Sequence, residues 1–174
     1  MENKCLYCYK EINSTELGTP AGMAGYHSTC SKKIFGTTTP PLLDFTEDQL
    51  LQLGEQVIKS QRTITGVQPK LSLGLSSEKD APKRFTIVGL WGAYILKPQT
   101  SLYANLPEIE DLTMHLAQIS QIKTVQHALI KLKSGQLAYI TKRIDRNNGQ
   151  KVHMEDMCQL TERLTEHKYK GSYE

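Results

Sequence analysis

Cys5-x-x-Cys8 and His27-x-x-Cys30 are two close pairs of metal-ligand side chains, eighteen residues apart. A tight C-x-x-C turn can aim two thiolates at one ion, and the second pair completes a tetrahedron. That is the layout of a closed structural zinc site. Thiolates with one imidazole favour zinc over magnesium or calcium. With all four positions filled, no open site is left for a catalytic water. The plainer alternative is a coincidence of buried free cysteines with a surface histidine. A redox C-x-x-C is disfavoured, because such motifs sit between a strand and a helix. Cys158 stands alone on an apolar helical face and reads as a core cysteine.

A second group of residues could handle phosphate. Lys97 ends the strand-like run from Tyr94, and Glu110 follows thirteen residues later in the first turns of a helix. A strand lysine paired with a glutamate on the next helix holds the α/β-phosphates of ATP in protein kinases. A snorkelling lysine and a helix-dipole glutamate explain the same two residues without nucleotide. Thr63-Ile-Thr-Gly-Val-Gln-Pro-Lys70 is a small-residue turn whose backbone N–H groups could cradle phosphate. It has one glycine and no Walker pattern, so on these residues alone an ordinary loop is the preferred reading.

The elements that position these residues follow from periodicity. Residues 1–36 are rich in Cys, Gly and Tyr, show turn chemistry throughout, and have too few apolar residues to bury a core of their own. Metal would have to staple them. Pro40 and Pro41 mark an extended link. Thr46 and Gln49 form a capping box for a helix over 46–60, with Phe45 and Leu50 as a hydrophobic staple. Leu71, Leu73 and Leu75 alternate as in a half-buried strand, and Phe85–Ile87 and Tyr94–Leu96 form two more. Asn105-Leu-Pro107 starts a helix whose apolar stripe is Ile109, Leu112, Leu116 and Ile119. Val125–Leu132 and Gln136–Lys142 form a hairpin about Lys133-Ser-Gly135. Asp145–Gln150 is a polar loop, and Met154, Met157, Leu160 and Leu164 suggest a last helix. The expected class is α+β, with an antiparallel sheet and packed helices after a zinc-stapled head.

Composition is that of an ordinary globular domain: 174 residues, 39% hydrophobic, 22% charged, net charge +3. No apolar run is long enough to span a bilayer. No secretory leader is visible, so a reducing, cytoplasmic setting is expected and disulfides are not. The small net charge argues against direct nucleic-acid binding. Lys4, Lys10, Lys32 and Lys33 on the head are offset by Glu2, Glu11 and Glu16.

Five segments taken together carry a resemblance. They are Gly66-Val-Gln-Pro-Lys70-Leu-Ser-Leu, Ile95-Leu-Lys97-Pro, Leu106-Pro-Glu-Ile-Glu110, Tyr139-Ile-Thr-Lys-Arg143-Ile-Asp145-Arg146 and Glu155-Asp-Met-Cys-Gln159. In order and spacing this set resembles the HipA-type serine/threonine kinases of bacterial toxin–antitoxin systems. The head, with Ser31-Lys-Lys-Ile-Phe-Gly-Thr and the double proline, looks like the N-terminal extension of one branch of that family. The resemblance implies a division into a Cys/His zinc-binding head (1–36), a Pro linker and helix (37–60) and a kinase N-lobe (61–174).

It also implies roles. Gly66, Val67, Gln68 and Lys70 would form the phosphate loop. Lys97 would contact the ATP phosphates and Glu110 would orient it. Lys142 to Ile144 would be the hinge whose backbone meets adenine, with Asp145 beside the ribose. Thr63 and Thr65 fall where the family carries autophosphorylated serines. Ile109 stands where the family often has Asn. ATP and magnesium would be the cofactors of the complete kinase, with zinc in the head. A component of the translation machinery would be the protein substrate, and an antitoxin with a DNA-binding domain a partner.

No His-x-Asp catalytic loop or Asp-Phe-Gly-like element is found, and His115, His127, His153 and His167 have no Asp–Asn partner at useful spacing. In the family the two catalytic aspartates come later in the chain. The expectation is therefore an N-lobe without its catalytic lobe, inactive alone. The alternative is a zinc-headed binding module that contacts an antitoxin, a partner protein or nucleic acid. A degenerate regulatory homologue is disfavoured by the retained Lys97 and Glu110.

Overall fold

The computed structural model describes residues 3–60, 70–76, 81–88, 91–147 and 150–163. After the C-x-x-C turn come three short helices, α1 (Ser14–Leu17), α2 (Pro20–Met23) and α3 (Ser28–Phe35). Four-residue helices have no room for an apolar period, so only their caps announce them. Asn13 Oδ1 accepts from the Glu16 amide at 2.9 Å, Thr19 Oγ1 accepts from the Gly22 amide at 3.1 Å, and Pro20 opens α2. Gly36 ends α3 in the left-handed region at φ 76°.

The capping box at Thr46 forms as expected: Thr46 N donates to Gln49 Oε1 at 2.9 Å and Gln49 N to Thr46 Oγ1 at 3.4 Å. It opens α4 (Glu47–Ser60), and Leu50 is buried with Phe45 packed on the same cluster. The sheet comprises β1 (Leu71–Leu75), β2 (Phe85–Ile87), β3 (Tyr94–Pro98), β4 (His127–Lys131) and β5 (Leu137–Lys142). α5 (Leu106–Ile119) connects β3 to β4. The five strands are ordered β2-β1-β3-β5-β4 and every pairing is antiparallel. The architecture is α+β, as read from the sequence. Gly92 leads into β3 so close to β1 that a Cβ there would lie 2.5 Å from the Leu73 carbonyl oxygen. Gly135 turns the β4–β5 hairpin at φ 90°.

The head does not stand apart from the sheet. Tyr26, Ile34 and Phe35 are buried in one cluster with Leu73, Phe85, Tyr94 and Leu96. Phe35 meets the Phe85 ring edge-on at 5.7 Å, and Tyr94 Oη donates to the Ile34 carbonyl at 3.0 Å. The head thus buries its apolar residues against the sheet instead of building a core of its own. The chain before the sheet reaches both sheet borders, the head at one and the linker at the other. Leu129 N on β4 donates to the Leu6 carbonyl at 3.0 Å. At the other border, Leu42 N donates to Lys83 O and Phe85 N to Leu42 O, both at 2.9 Å.

Four expectations are corrected. The apolar stripe of α5 faces outward: Ile109, Leu112, Leu116 and Ile119 are each more than half exposed, while Pro107 and Asp111 are buried. Polar partners for Asp111, described below, decide which face turns in. The last helix, α6 (Met157–Leu160), begins only at Met157, because Asp156 caps it in a capping box with Gln159. Met154 lies before it, and Leu164 lies outside the described residues. Cys158 is half-buried, not a core residue, on a helix whose Met157 and Leu160 are exposed. The polar loop after Asp145 holds a two-stranded ladder, β6 (Arg146–Asn147) with β7 (Gln150–Lys151). Among the described residues no helix is long and apolar enough to cross a membrane.

Candidate functional site

The four residues read as metal ligands converge. One ligand atom from each of Cys5, Cys8, His27 and Cys30 lies within 4.8 Å of the others, and no disulfide joins the cysteines. Cys5 and Cys8 come from a turn closed by Tyr9 N donating to the Cys5 carbonyl at 2.9 Å. His27 is the N-cap residue of α3, and Cys30 lies in its first turn. His27 Nδ1 is 3.5 Å from Cys8 Sγ and 3.7 Å from Cys30 Sγ. Bonds of about 2.3 Å to sulfur and about 2.1 Å to nitrogen, at a tetrahedral angle, would put N and S about 3.6 Å apart. The donor set and its spacing therefore fit a tetrahedral ion.

The surroundings prepare it. His27 Nε2 faces the Glu11 carbonyl at 3.1 Å, which leaves Nδ1 as the coordinating nitrogen. Burial pushes the Cys5 thiol up, but hydrogen bonds from the backbone at His27, Tyr7 and Cys8 outweigh it and leave the thiol lowered. Burial, then the charge of Cys5, raises Cys30 to about 12. One thiolate forms readily and opposes the next, which is the electrostatic situation a divalent cation relieves.

The kinase-like pair also meets. Lys97 Nζ on β3 donates to Glu110 Oε1 on α5, and both side chains are about one quarter exposed. The ammonium lies 5.4 Å from the Tyr139 ring centroid on β5. Of the other residues singled out for nucleotide, Lys70 immediately precedes β1, Lys142 ends β5 with an exposed side chain, and Ile144 is 68% exposed. Thr63, Thr65, Gly66, Val67 and Gln68 lie outside the described residues.

Asp145 is buried and doubly held. Arg143 Nε and one terminal nitrogen donate to its two oxygens at 2.8 and 2.7 Å, and Arg146 adds a third bond at 2.6 Å. The Arg143 hydrogen bonds hold its carboxyl at about 2, against 3.8 for a free side chain. A lowered folded-state value means stability that is complete above the unfolded value and lost as pH falls through the folded one. Urea unfolding should therefore show Asp145→Asn costing about 2 kcal/mol at pH 6, with the difference from wild type vanishing between pH 4 and pH 2. A difference independent of pH would refute the assignment.

Sequence reasoning missed a third cluster. Asp111 on α5 is fully buried, and His127 Nδ1 on β4 lies 2.6 Å from its Oδ1. Tyr9 Oη donates to Oδ2 of the same carboxylate. Gln118 Nε2 closes the chain on His127 Nε2 at 3.1 Å. The His115 ring bridges the carbonyl oxygens of Asp111 and Tyr7 at 2.9 and 3.0 Å. His115 and His127, which have no catalytic-loop spacing to an Asp–Asn pair in the sequence, both lie against Asp111, His127 at 2.6 Å and His115 at 3.4 Å from its carboxylate. Tyr9 reaches it from a left-handed backbone at φ 58° that the C-x-x-C turn imposes. Burial, then its bond to Asp111, pushes the Tyr9 phenol well up, so it remains a donor. Nothing in the sequence hinted at it, because Asp111 falls off the apolar stripe of its helix, where a solvent-facing polar residue is expected.

A family model described as HipA-like C-terminal domain matches residues 62–174. The chain belongs to that family. Two curated relatives are also similar. A candidate kinase of Haemophilus influenzae is 28% identical over 160 residues, covering 89% of this chain and 44% of its own length. A candidate kinase of Sinorhizobium fredii, Y4dM, is 29% identical over 123 residues, covering 64% of this chain and 30% of its own length. The chain thus spans less than half the length of either relative. Lys97, Glu110, Asp111, His115 and His127 lie within the HipA-like region, whereas Tyr9 and the Cys/His head precede it.

Proposed function

We propose that this chain is the nucleotide-binding lobe of a HipA-type serine/threonine kinase, preceded by a zinc-stapled head. The observation that carries the reading is the Lys97–Glu110 pair, a strand lysine held by a glutamate on the following helix. In phosphoryl transfer by kinases such a lysine steadies the ATP phosphates and the glutamate keeps it aimed. The backbone from Gly66 to Lys70 would cover the phosphates. The Lys142–Ile144 backbone would meet adenine, and Asp145, already fixed by two arginines, would flank the ribose. Zinc would occupy Cys5, Cys8, His27 and Cys30 and serve folding only. ATP, bound with magnesium, supplies the phosphoryl group for a protein hydroxyl. The aspartates that take the hydroxyl proton and hold magnesium would come from a further lobe. A translation component as substrate, an antitoxin as partner and a cytoplasmic setting follow from the same reading, as does phosphorylation at Thr63 or Thr65.

Calorimetric titration with Mg-ATP tests it. Measurable binding is expected, and Lys97→Ala should weaken it about tenfold or more, or about 1.4 kcal/mol. Absence of binding at millimolar ATP would sink the reading. A second reading, a binding module for a partner protein, draws on the exposed stripe Ile109, Leu112, Leu116 and Ile119. Unchanged partner capture by Lys97→Ala, with no affinity for ATP, would favour it.

A further inference from the structure

Between the Cys/His head and the Lys97–Glu110 pair runs an unbroken line of side-chain contacts. Tyr9 and His115 have ring centroids 4.7 Å apart, and His115 meets His127 edge-on at 4.7 Å. His127 stacks on Tyr139 at 5.9 Å, and Lys97 lies over Tyr139. A second route is shorter. The Tyr9 hydroxyl holds Asp111, whose chain neighbour Glu110 holds Lys97. Both members of the ion pair are thus gripped from the head side. Tyr9 itself is aimed by the turn that presents Cys5 and Cys8, through its amide bond to the Cys5 carbonyl.

A second metal ion at Asp111, His115 and His127 is the competing account of this cluster, since their ligand atoms also lie within 4.8 Å of one another. The hydrogen bonds argue against it. Asp111 Oδ1 is taken by His127 and Oδ2 by Tyr9, His127 Nε2 faces Gln118, and both nitrogens of His115 face carbonyl oxygens. With the Asp111 carboxylate and both His127 nitrogens already partnered, only His115 has a nitrogen to offer a cation, and one ligand does not make a site.

We propose that Tyr9, Asp111 and His127 are positioning residues through which the Cys/His head sets the depth and rotation of α5, and so the contact between Glu110 and Lys97. The purpose of that device rests on the nucleotide-binding reading, but its physics does not. α5 is amphipathic the wrong way round for self-positioning. Its apolar stripe faces out and its inward face carries Asp111, so apolar burial alone would turn it over. The buried carboxylate is what keeps the Glu110 side inward, and the head supplies one of its two side-chain donors.

The test reads Lys97 directly, by the rate at which a small amine-acylating reagent labels it in the full chain, followed by peptide mass spectrometry. Glu110→Gln, which weakens the pair, sets the upper rate. Tyr9→Phe is expected to raise Lys97 labelling about threefold or more, and adding it to Glu110→Gln should give little further increase, the signature of action through one contact. His127→Gln should raise the rate in the same way, which covers the case of a poorly folded Tyr9→Phe. Tyr26→Phe is the control, because Tyr26 Oη anchors the head to the Leu129 carbonyl and makes no hydrogen bond to α5. It should leave Lys97 unchanged. A wild-type rate in both Tyr9→Phe and His127→Gln would overturn the proposal. So would an equal rise in Tyr26→Phe, which would mean general loosening. Retention of a second metal ion lost only on His127→Gln would overturn it in favour of the metal account. No nucleotide enters this readout, so failure of ATP binding would count against the proposed function alone.

Discussion

Removal of metal with a strong chelator is expected to unfold the head and lower the melting temperature by about 10 °C or more. The Cys5, Cys8, His27 and Cys30 donors lie within 4.8 Å of one another. Without an ion they are three thiols in a half-buried pocket, with Cys5 drawn toward the thiolate and Cys30 pushed to about 12. Structural zinc contributes free energy directly to folding, and loss of about 4 kcal/mol shifts a chain of this size by roughly 2–4 °C per kcal/mol. Native mass spectrometry should find a single zinc ion per chain, absent after chelation, with calorimetry reporting the melting temperature. Cys8→Ser should reproduce both effects. Zinc-free protein with an unchanged melt would show that the head folds on side-chain packing alone.

Replacing Asp111 by alanine should cost about 3–5 kcal/mol, measured as a shift in urea midpoint. The carboxylate is fully buried, and its loss leaves the Tyr9 hydroxyl and the buried His127 Nδ1 without their acceptor. Asp111→Asn keeps the shape and one acceptor oxygen, so about half that cost is expected. The contrast is Asp44, which pairs with Lys133 at 3.2 Å where both side chains are more than half exposed. Asp44→Ala should cost less than about 0.5 kcal/mol. Similar losses at the two positions would contradict the role given to Asp111.

The convergence of the Cys/His quartet was legible because its four residues sit in two local pairs, and local pairs survive in sequence as spacing. The capping box at Thr46, the leucine alternation of β1 and the glycine turn of the hairpin were legible for the same reason. Lys97 and Glu110 could be considered together because a strand and the next helix are neighbours in chain and in space, but the family resemblance and not the spacing favoured the pair. Tyr9 and Asp111 are 102 residues apart, and nothing local in either segment names the other. That bond in turn decides which face of α5 points inward, so the hydrophobic period of that helix misled. The helices of the head were hidden by length, since α1 and α2 are too short to show a period.

The contacts that Leu6 and Leu42 make at the two borders of the sheet have a consequence for how the chain survives its own synthesis. Unpaired strand borders are templates for joining another molecule, and β4 is the kind of apolar border strand that invites it, with Ala128, Leu129 and Ile130 in succession. Synthesis runs from the N-terminus, so Leu6 and Leu42 leave the ribosome before the strands they cover. Each guard is waiting when its border arrives. Loosening of the head would free the β4 border, and intermolecular strand joining would become the route by which the protein is lost.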